Sequence, residues 1–202
     1  MENNDSINNE KQNNEEQNKN NQQDNNGKQS KIDYKEIFSW VKYIGSAILI
    51  ALFLTNFVII NAYIPSGSME NTIMTKDRVI ASRLHYLFSE PERGDIIVFK
   101  FPDDEKTNFV KRVIGLPGET VEIKEGIVYI DGVKLEEPYL KETPRVEDNG
   151  PYVVPEDSYF MLGDNRNDSA DSRAWRTTNY VHKSKILGKV AFKYFPGLKW
   201  LW

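Results

Sequence analysis

No cysteine occurs among the 202 residues of this chain. Disulfides, thiolate metal sites and a cysteine nucleophile are therefore excluded. Histidine is almost as scarce. Only His85 and His182 offer an imidazole, so a hydrolase built here has little choice of histidine base. Neither sign of charge dominates. The 26 basic and 30 acidic side chains leave a net charge of -4, and no basic stripe dominates, which argues against a nucleic-acid partner. The carboxylates lack ligand spacing and the histidines are isolated, so neither a metal nor an organic cofactor is expected.

What is present falls into three parts. Residues 1–30 are rich in Asn, Gln, Glu and Lys, with Ile7 the only large aliphatic side chain after Met1. Such a segment cannot bury enough apolar surface to offset the entropy of ordering it, and it is expected to be a disordered tail. Residues 31–42 read as a juxtamembrane segment. Residues 43–64, YIGSAILIALFLTNFVIINAYI, carry no charge. About 20 apolar residues, rising ~1.5 Å each, suffice to cross a ~30 Å hydrocarbon layer, so a transmembrane helix is expected over residues 43–61. Asn61 would then lie where the interface begins. Lys28, Lys31, Lys35 and Lys42 precede the run. That excess predicts a cytoplasmic N-terminal side and an extracytoplasmic remainder.

Residues 62–202 read as mainly β. DRVIAS, DIIVFKF, NFVKRVIG, TVEIK, IVYI, YVV, YFML and GKVAFKYF are short apolar or alternating runs bounded by turn formers. Asp131-Gly132 and Glu125-Gly126 each stand between two such runs and predict tight hairpins. The only helical signal after the apolar span is a turn around residues 69–74. An antiparallel, partly barrel-like domain of many short strands follows.

Three segments could carry chemistry. Pro65-Ser66-Gly67-Ser68-Met69 directly follows the apolar run. Its Pro and Gly predict a tight exposed turn, and Gly beside Ser lets a substrate carbonyl approach the backbone. Most Ser/Gly turns are only turns. In the second segment, Lys111 shares a strand face with Phe109 and Val113, while Val110, Arg112 and Ile114 point to the other face. An ammonium among apolar groups loses its proton more easily, and a neutral lysine can replace histidine as base for a serine. The ordinary alternative is an edge lysine whose stem carries its charge out to water. The third segment, GDNRNDSADSR over residues 163–173, otherwise reads as a polar surface loop.

Taken together, the apolar span, PSGSM, RGDIIVF at residues 93–99, KRVIGLPGE with Lys111 and GDNRNDSADSR resemble the type I signal peptidases. The resemblance covers the chain from residue 43 onward and fits the compact Gram-positive type. It implies a membrane-bound serine endopeptidase that removes signal peptides from secreted preproteins at Ala-X-Ala sites. Ser68 would be the nucleophile and Lys111 the general base. The Ser68 N–H and the Ser66 hydroxyl would form the oxyanion hole. Ser169 would orient the lysine amine, with Asp171 and Arg173 as a structural ion pair and Arg112 nearby. Phe99, Phe109 and Met161 would keep the lysine dry. Ile64, Pro65, Met69, Ile73, Val98, Phe109 and Val110 would line the substrate site, with an extended substrate pairing beside the strands that end at Ile64 and Lys111. Two departures from the family pattern stand out: Asn71 where proline is common, and the order Asn167-Asp168. Lys111 where another branch has histidine argues against the ER type. A self-cleaving repressor shares the Ser/Lys chemistry but needs a DNA-binding module. An inactive membrane-tethered β module that binds secretory precursors is the other alternative. The aromatic, basic segment after Phe192 suits either the lipid interface or a core plug.

Overall fold

The computed structural model describes residues 34–201. The expected tail at residues 1–30 and the start of the juxtamembrane segment lie outside the described residues. Helix α1 (Tyr34–Phe53) continues into a π-helical turn over Leu54–Val58. These 25 residues form a helix long and apolar enough to cross a membrane, and no residue of it is buried within the protein. Its polar side chains fold back on the helix itself. Thr55 Oγ1 donates to Ala51 O at 2.9 Å and Asn56 Nδ2 to Leu52 O at 2.7 Å. The helix starts earlier than residue 43 and stops short of residue 61. Its apolar run does not end there; it changes period. Ile59 to Tyr63 become strand β1, and Asn61 accepts a hydrogen bond from the Tyr194 hydroxyl at 3.0 Å.

The remaining strands are β2 (Arg78–Ser82), β3 (Ile96–Lys100), β4 (Asn108–Gly115), β5 (Thr120–Lys124), β6 (Ile127–Ile130), β7 (Val133–Lys134), β8 (Asn149–Val153), β9 (Ser158–Leu162), β10 (Val181–His182), β11 (Ile186–Phe195) and β12 (Lys199–Trp200). One sheet runs β1-β2-β11-β3-β4-β9-β10, with β12 beside β11; a smaller sheet runs β7-β6-β5-β8. Every pairing is antiparallel. The β5–β6 hairpin turns at Glu125 (φ 52°) and Gly126 (φ 78°), and the β6–β7 hairpin at Asp131 (φ 49°) and Gly132 (φ 81°). Positive φ at both central residues is what a twisted two-residue hairpin requires. The mainly β, antiparallel class anticipated above is therefore the class observed, as two sheets with open edges rather than one closed barrel.

Strand β4 joins the two sheets. Its last residue, Gly115, leaves no room for a side chain: a Cβ would stand 2.5 Å from Val121 Cγ2 and 2.9 Å from Val154 Cγ2. The chain can then turn at Leu116-Pro117-Gly118 into the smaller sheet, over a cluster of Ile114, Val121, Val128 and Phe160. Beneath the larger sheet, Ile64, Met69, Ile73 and Val98 form a second cluster, and Phe99, Val113, Met161 and Trp175 a third. Burying each such side chain contributes roughly 1.5–3 kcal/mol. At the C-terminal end, β12 folds back on β11, with Trp200 tilted against Phe192 at 5.1 Å between ring centres. Trp200 and Leu198 remain exposed while Leu201 packs against the core.

Candidate active site

The serine turn is set by what flanks it. Beyond β1, Ile64 still pairs with the loop before β2: its N–H donates to Asp77 O at 3.0 Å and its carbonyl accepts from Lys76 N at 2.8 Å. Pro65 then ends the extended run. A short turn closes through Glu70 N to Gly67 O (3.1 Å) and Ile73 N to Met69 O (2.8 Å). Met69 and Ile73 plug into the core below it. Ser68 stands at the corner and is 8% exposed.

Lys111 reaches this corner from the middle of β4. Its amine is 2.5 Å from Ser68 Oγ, in a buried contact. Burial pulls its pKa down from the usual 10.5 to about 8; Asp171 and Asp164 oppose that fall, and Arg173 adds to it. The Phe109 ring centre lies 5.4 Å from Nζ, and Phe101 stacks on Phe109 at 4.2 Å. A cavity of about 600 Å³ opens over both side chains. Its lining includes Ile64, Pro65, Ser66, Ser68, Met69, Val98, Phe109, Val110 and Lys111, together with Asp168 and Ala170. Ile73 does not reach it, being fully buried beneath the turn. Neither histidine lines it; His182 borders a separate depression with Arg83 and Tyr86.

Two unpaired strand edges border this groove. β1 is the edge of its sheet, with β2 its sole neighbour there. In β4, residues 108–111 pair with β3, and β9 takes up the other side only from Arg112 onward. Among the described residues, both edges present free backbone donors and acceptors, which is what an extended peptide needs to pair as an added strand.

The loop after β9 closes the site from behind. Asp171 accepts from Arg173 Nε at 2.9 Å and Nη2 at 3.0 Å, and from Gly163 N at 3.1 Å. Arg173 also pairs with Glu147 at 2.5 Å. Arg112, expected beside that pair, lies instead against Asp164, with Nε to Oδ1 at 2.8 Å and Nη2 to Oδ2 at 2.6 Å. Strand alternation is the reason: Arg112 points away from the face Lys111 occupies. Its guanidinium sits 4.0 Å from the centre of the Tyr139 ring, and Thr72 also donates to Asp164 at 2.5 Å. The pair is nearly dry, with side-chain exposures of 10% and 0%. Asp164→Ala would strand a buried guanidinium, and urea unfolding of the detergent-solubilised chain should show a loss of about 3–5 kcal/mol. A loss under ~1 kcal/mol would mean the ion pair is dispensable.

Ser169 comes close but does not bond as expected. Gly163 separates it from the serine turn: a Cβ there would meet Ser169 Oγ at 2.2 Å and Ser68 O at 2.4 Å. Ser169 Oγ is buried and has no hydrogen-bond partner among the described residues; the lysine amine turns to Ser68 instead. Ser66 is exposed on the groove wall.

A family model described as signal peptidase, peptidase S26, matches residues 37–195. The chain belongs to the signal peptidase family, peptidase S26. It is thus a peptide-bond hydrolase of the serine peptidase type. Signal peptidase I of Leptolyngbya laminosa is 43% identical over 163 residues, covering 77% of this chain and 78% of that protein. Signal peptidase I S of Bacillus subtilis is 36% identical over 172 residues, covering 80% and 91%. A solved signal peptidase I from Enterococcus faecalis is 37% identical, covers 50% of this chain and 97% of its own, and has a TM-score of 0.43.

Sequence reading missed several residues that hold the site. Asp164 and Asn165 looked like turn formers in a polar loop. Thr72, Tyr139 and Glu137 gave no signal. Glu137 pairs with Arg166, whose Nη1 donates to Glu137 Oε2 at 3.0 Å. The density of opposite charges in residues 163–173 was the available clue. It marked a bonded loop without naming the partners.

Proposed function

We propose that this chain is a membrane-anchored type I signal peptidase that cleaves secreted preproteins after Ala-X-Ala, using Ser68 as nucleophile and Lys111 as general base. The observation that carries the proposal is the 2.5 Å contact between Ser68 Oγ and a lysine amine whose pKa is depressed by burial. An ordinary surface lysine would be almost wholly charged near neutrality and unable to accept a proton.

Neutral Lys111 takes the Ser68 hydroxyl proton while Oγ bonds to the scissile carbonyl carbon. The carbonyl π pair moves onto oxygen, and the Ser68 N–H and Ser66 hydroxyl donate to that oxyanion. When the C–N bond breaks, the lysinium returns its proton to the leaving amine. The acyl ester on Ser68 then reacts with water. Lys111 takes the water proton, the carboxylic acid departs, and Ser68 Oγ regains a hydrogen. The Asp171–Arg173 and Asp164–Arg112 ion pairs hold the surrounding loop, and Ser169 lies beside the dyad across Gly163.

The substrate enters as a strand between the edges of β1 and residues 108–111 of β4. Ile64, Met69, Val98 and Val110 leave shallow apolar depressions, which favour small side chains by steric rejection of larger ones. Helix α1 with its π-helical turn anchors the enzyme, N-terminal side in the cytoplasm.

The test is cleavage of a precursor with an Ala-X-Ala site by the full chain in detergent. A new N-terminus directly after the second Ala is expected, with none from Ser68→Ala or from a precursor with Phe in place of that Ala. Equal cleavage of the Phe precursor would contradict the shallow-pocket reading.

A further inference from the structure

The serine turn is fastened by a residue that does not line the groove. Asn165 is 3% exposed. Its side-chain Nδ2 donates to Gly67 O at 3.1 Å, and its main-chain N donates to Ser68 O at 3.1 Å. Glu70 N donates to the same Gly67 O at 3.1 Å, so both lone pairs of that carbonyl are engaged. Gly67 C=O and Ser68 N–H belong to one peptide unit. A trans peptide is planar, and its carbonyl and N–H point in opposite directions. Turning Gly67 O toward buried Asn165 therefore turns the Ser68 N–H away from it. That N–H has no acceptor among the described residues.

The amide is held for this one bond. Asn165 Oδ1 is buried without a hydrogen-bond partner among the described residues, an arrangement that costs stability. Flipping the amide would set Oδ1 against Gly67 O, acceptor against acceptor. The orientation with Nδ2 toward Gly67 is thus the one the surroundings allow.

We propose that Asn165 is the positioning residue of the oxyanion site: its side-chain amide fixes the Gly67–Ser68 peptide plane so that the Ser68 N–H stands free for the charge that develops on the substrate carbonyl oxygen. This rests on the reading of Ser68 as nucleophile. A donor held in place beforehand needs no reorganisation during the reaction. Without Nδ2, the plane keeps the Glu70 bond and the main-chain bond to Ser68 O, but it can rock. The donor is then misdirected rather than deleted. The expected loss in kcat is about 10- to 100-fold, below the ~10²–10³-fold typical of removing an oxyanion donor outright.

The experiment compares wild type, Asn165→Ala and Ser68→Ala as full chains in detergent, with an Ala-X-Ala peptide as substrate. A peptide boronic acid, which forms a tetrahedral adduct with a serine, serves as transition-state probe. For Asn165→Ala, kcat should fall with KM nearly unchanged, and boronate affinity should fall in parallel with kcat. The acid limb of the pH profile should stay in place, because the lost group is neutral. A kcat within about twofold of wild type, a loss confined to KM, or unchanged boronate affinity would overturn the assignment. Should Asn165→Ala not reach the native fold, Asn165→Asp replaces it. That variant keeps the size and the main-chain bond but presents an acceptor to Gly67 O; it should lose at least as much kcat, and full activity would overturn the proposal. Ser68→Ala separates the two levels. Residual turnover there refutes the nucleophile itself, whereas an inactive Ser68→Ala beside a fully active Asn165→Ala refutes only the role of Asn165.

Discussion

Lys111→Arg should leave precursor cleavage at background, as should Lys111→Ala and Ser68→Ala, each with a loss on the order of 10⁴–10⁶-fold. The Arg substitution is the most instructive of the three. It keeps the positive charge but not the chemistry, because guanidinium does not deprotonate near neutral pH. It also puts a larger, forked head into a place that is 3% exposed and only 2.5 Å from Ser68 Oγ. Because nucleophile and base act as one unit, Ser68→Ala combined with Lys111→Ala should cost no more than either alone. The measurement is single-turnover cleavage of an Ala-X-Ala precursor, with far-UV circular dichroism to confirm the fold of each variant. Substantial turnover by Lys111→Arg would remove lysine from the role of base.

Much of the architecture was legible in the sequence where local rules decide it. The two hairpins needed positive φ at residues 125–126 and 131–132, and each pair ends in the glycine that supplies it. The strands of the larger sheet alternate or run apolar as burial on one or both faces demands. The end of the span was less legible. Val58, Ile59 and Ile60 are apolar and β-branched, and they fit a helix in lipid or a strand in a sheet equally well. Pairing with Arg78–Ser82 settles the choice in favour of β1 from Ile59 onward, a contact no local pattern announces.

The candidate site divides in the same way. Strand alternation put Lys111 on an apolar face, and the structure buries it there. The partner of Arg112 was not legible, because which carboxylate a buried guanidinium finds depends on how β4 and the loop after β9 meet. Asp164 and Asp171 lie in one polar loop, yet Asp164 goes to Arg112 and Asp171 to Arg173. Ser169 shows the limit from the other side. Its neighbourhood was anticipated, but the direction of its hydroxyl depends on a close approach across Gly163.

The lysine pKa gives the second large effect. Lys111 must be neutral to act. With its pKa pulled down to about 8 by burial, kcat/KM should be flat above that pH and should fall ~tenfold per unit below it. At two units below the limb, about 1% of the activity should remain. The sign follows from the base role: acid protonates the amine and switches the enzyme off. Phe109→Ser should open the wall beside Nζ, readmit water and move the limb upward toward the ordinary lysine value. A limb that stayed in place in that variant would remove desolvation by Phe109 as a cause.

The most direct test of the Ser68–Lys111 dyad is therefore a pH series of kcat/KM on an Ala-X-Ala peptide, run on wild type and on His85→Ala combined with His182→Ala. The dyad predicts the same acid limb near pH 8 in both. A limb near ~6.5 that disappears with the two histidines would contradict it, since that is where an imidazole base titrates.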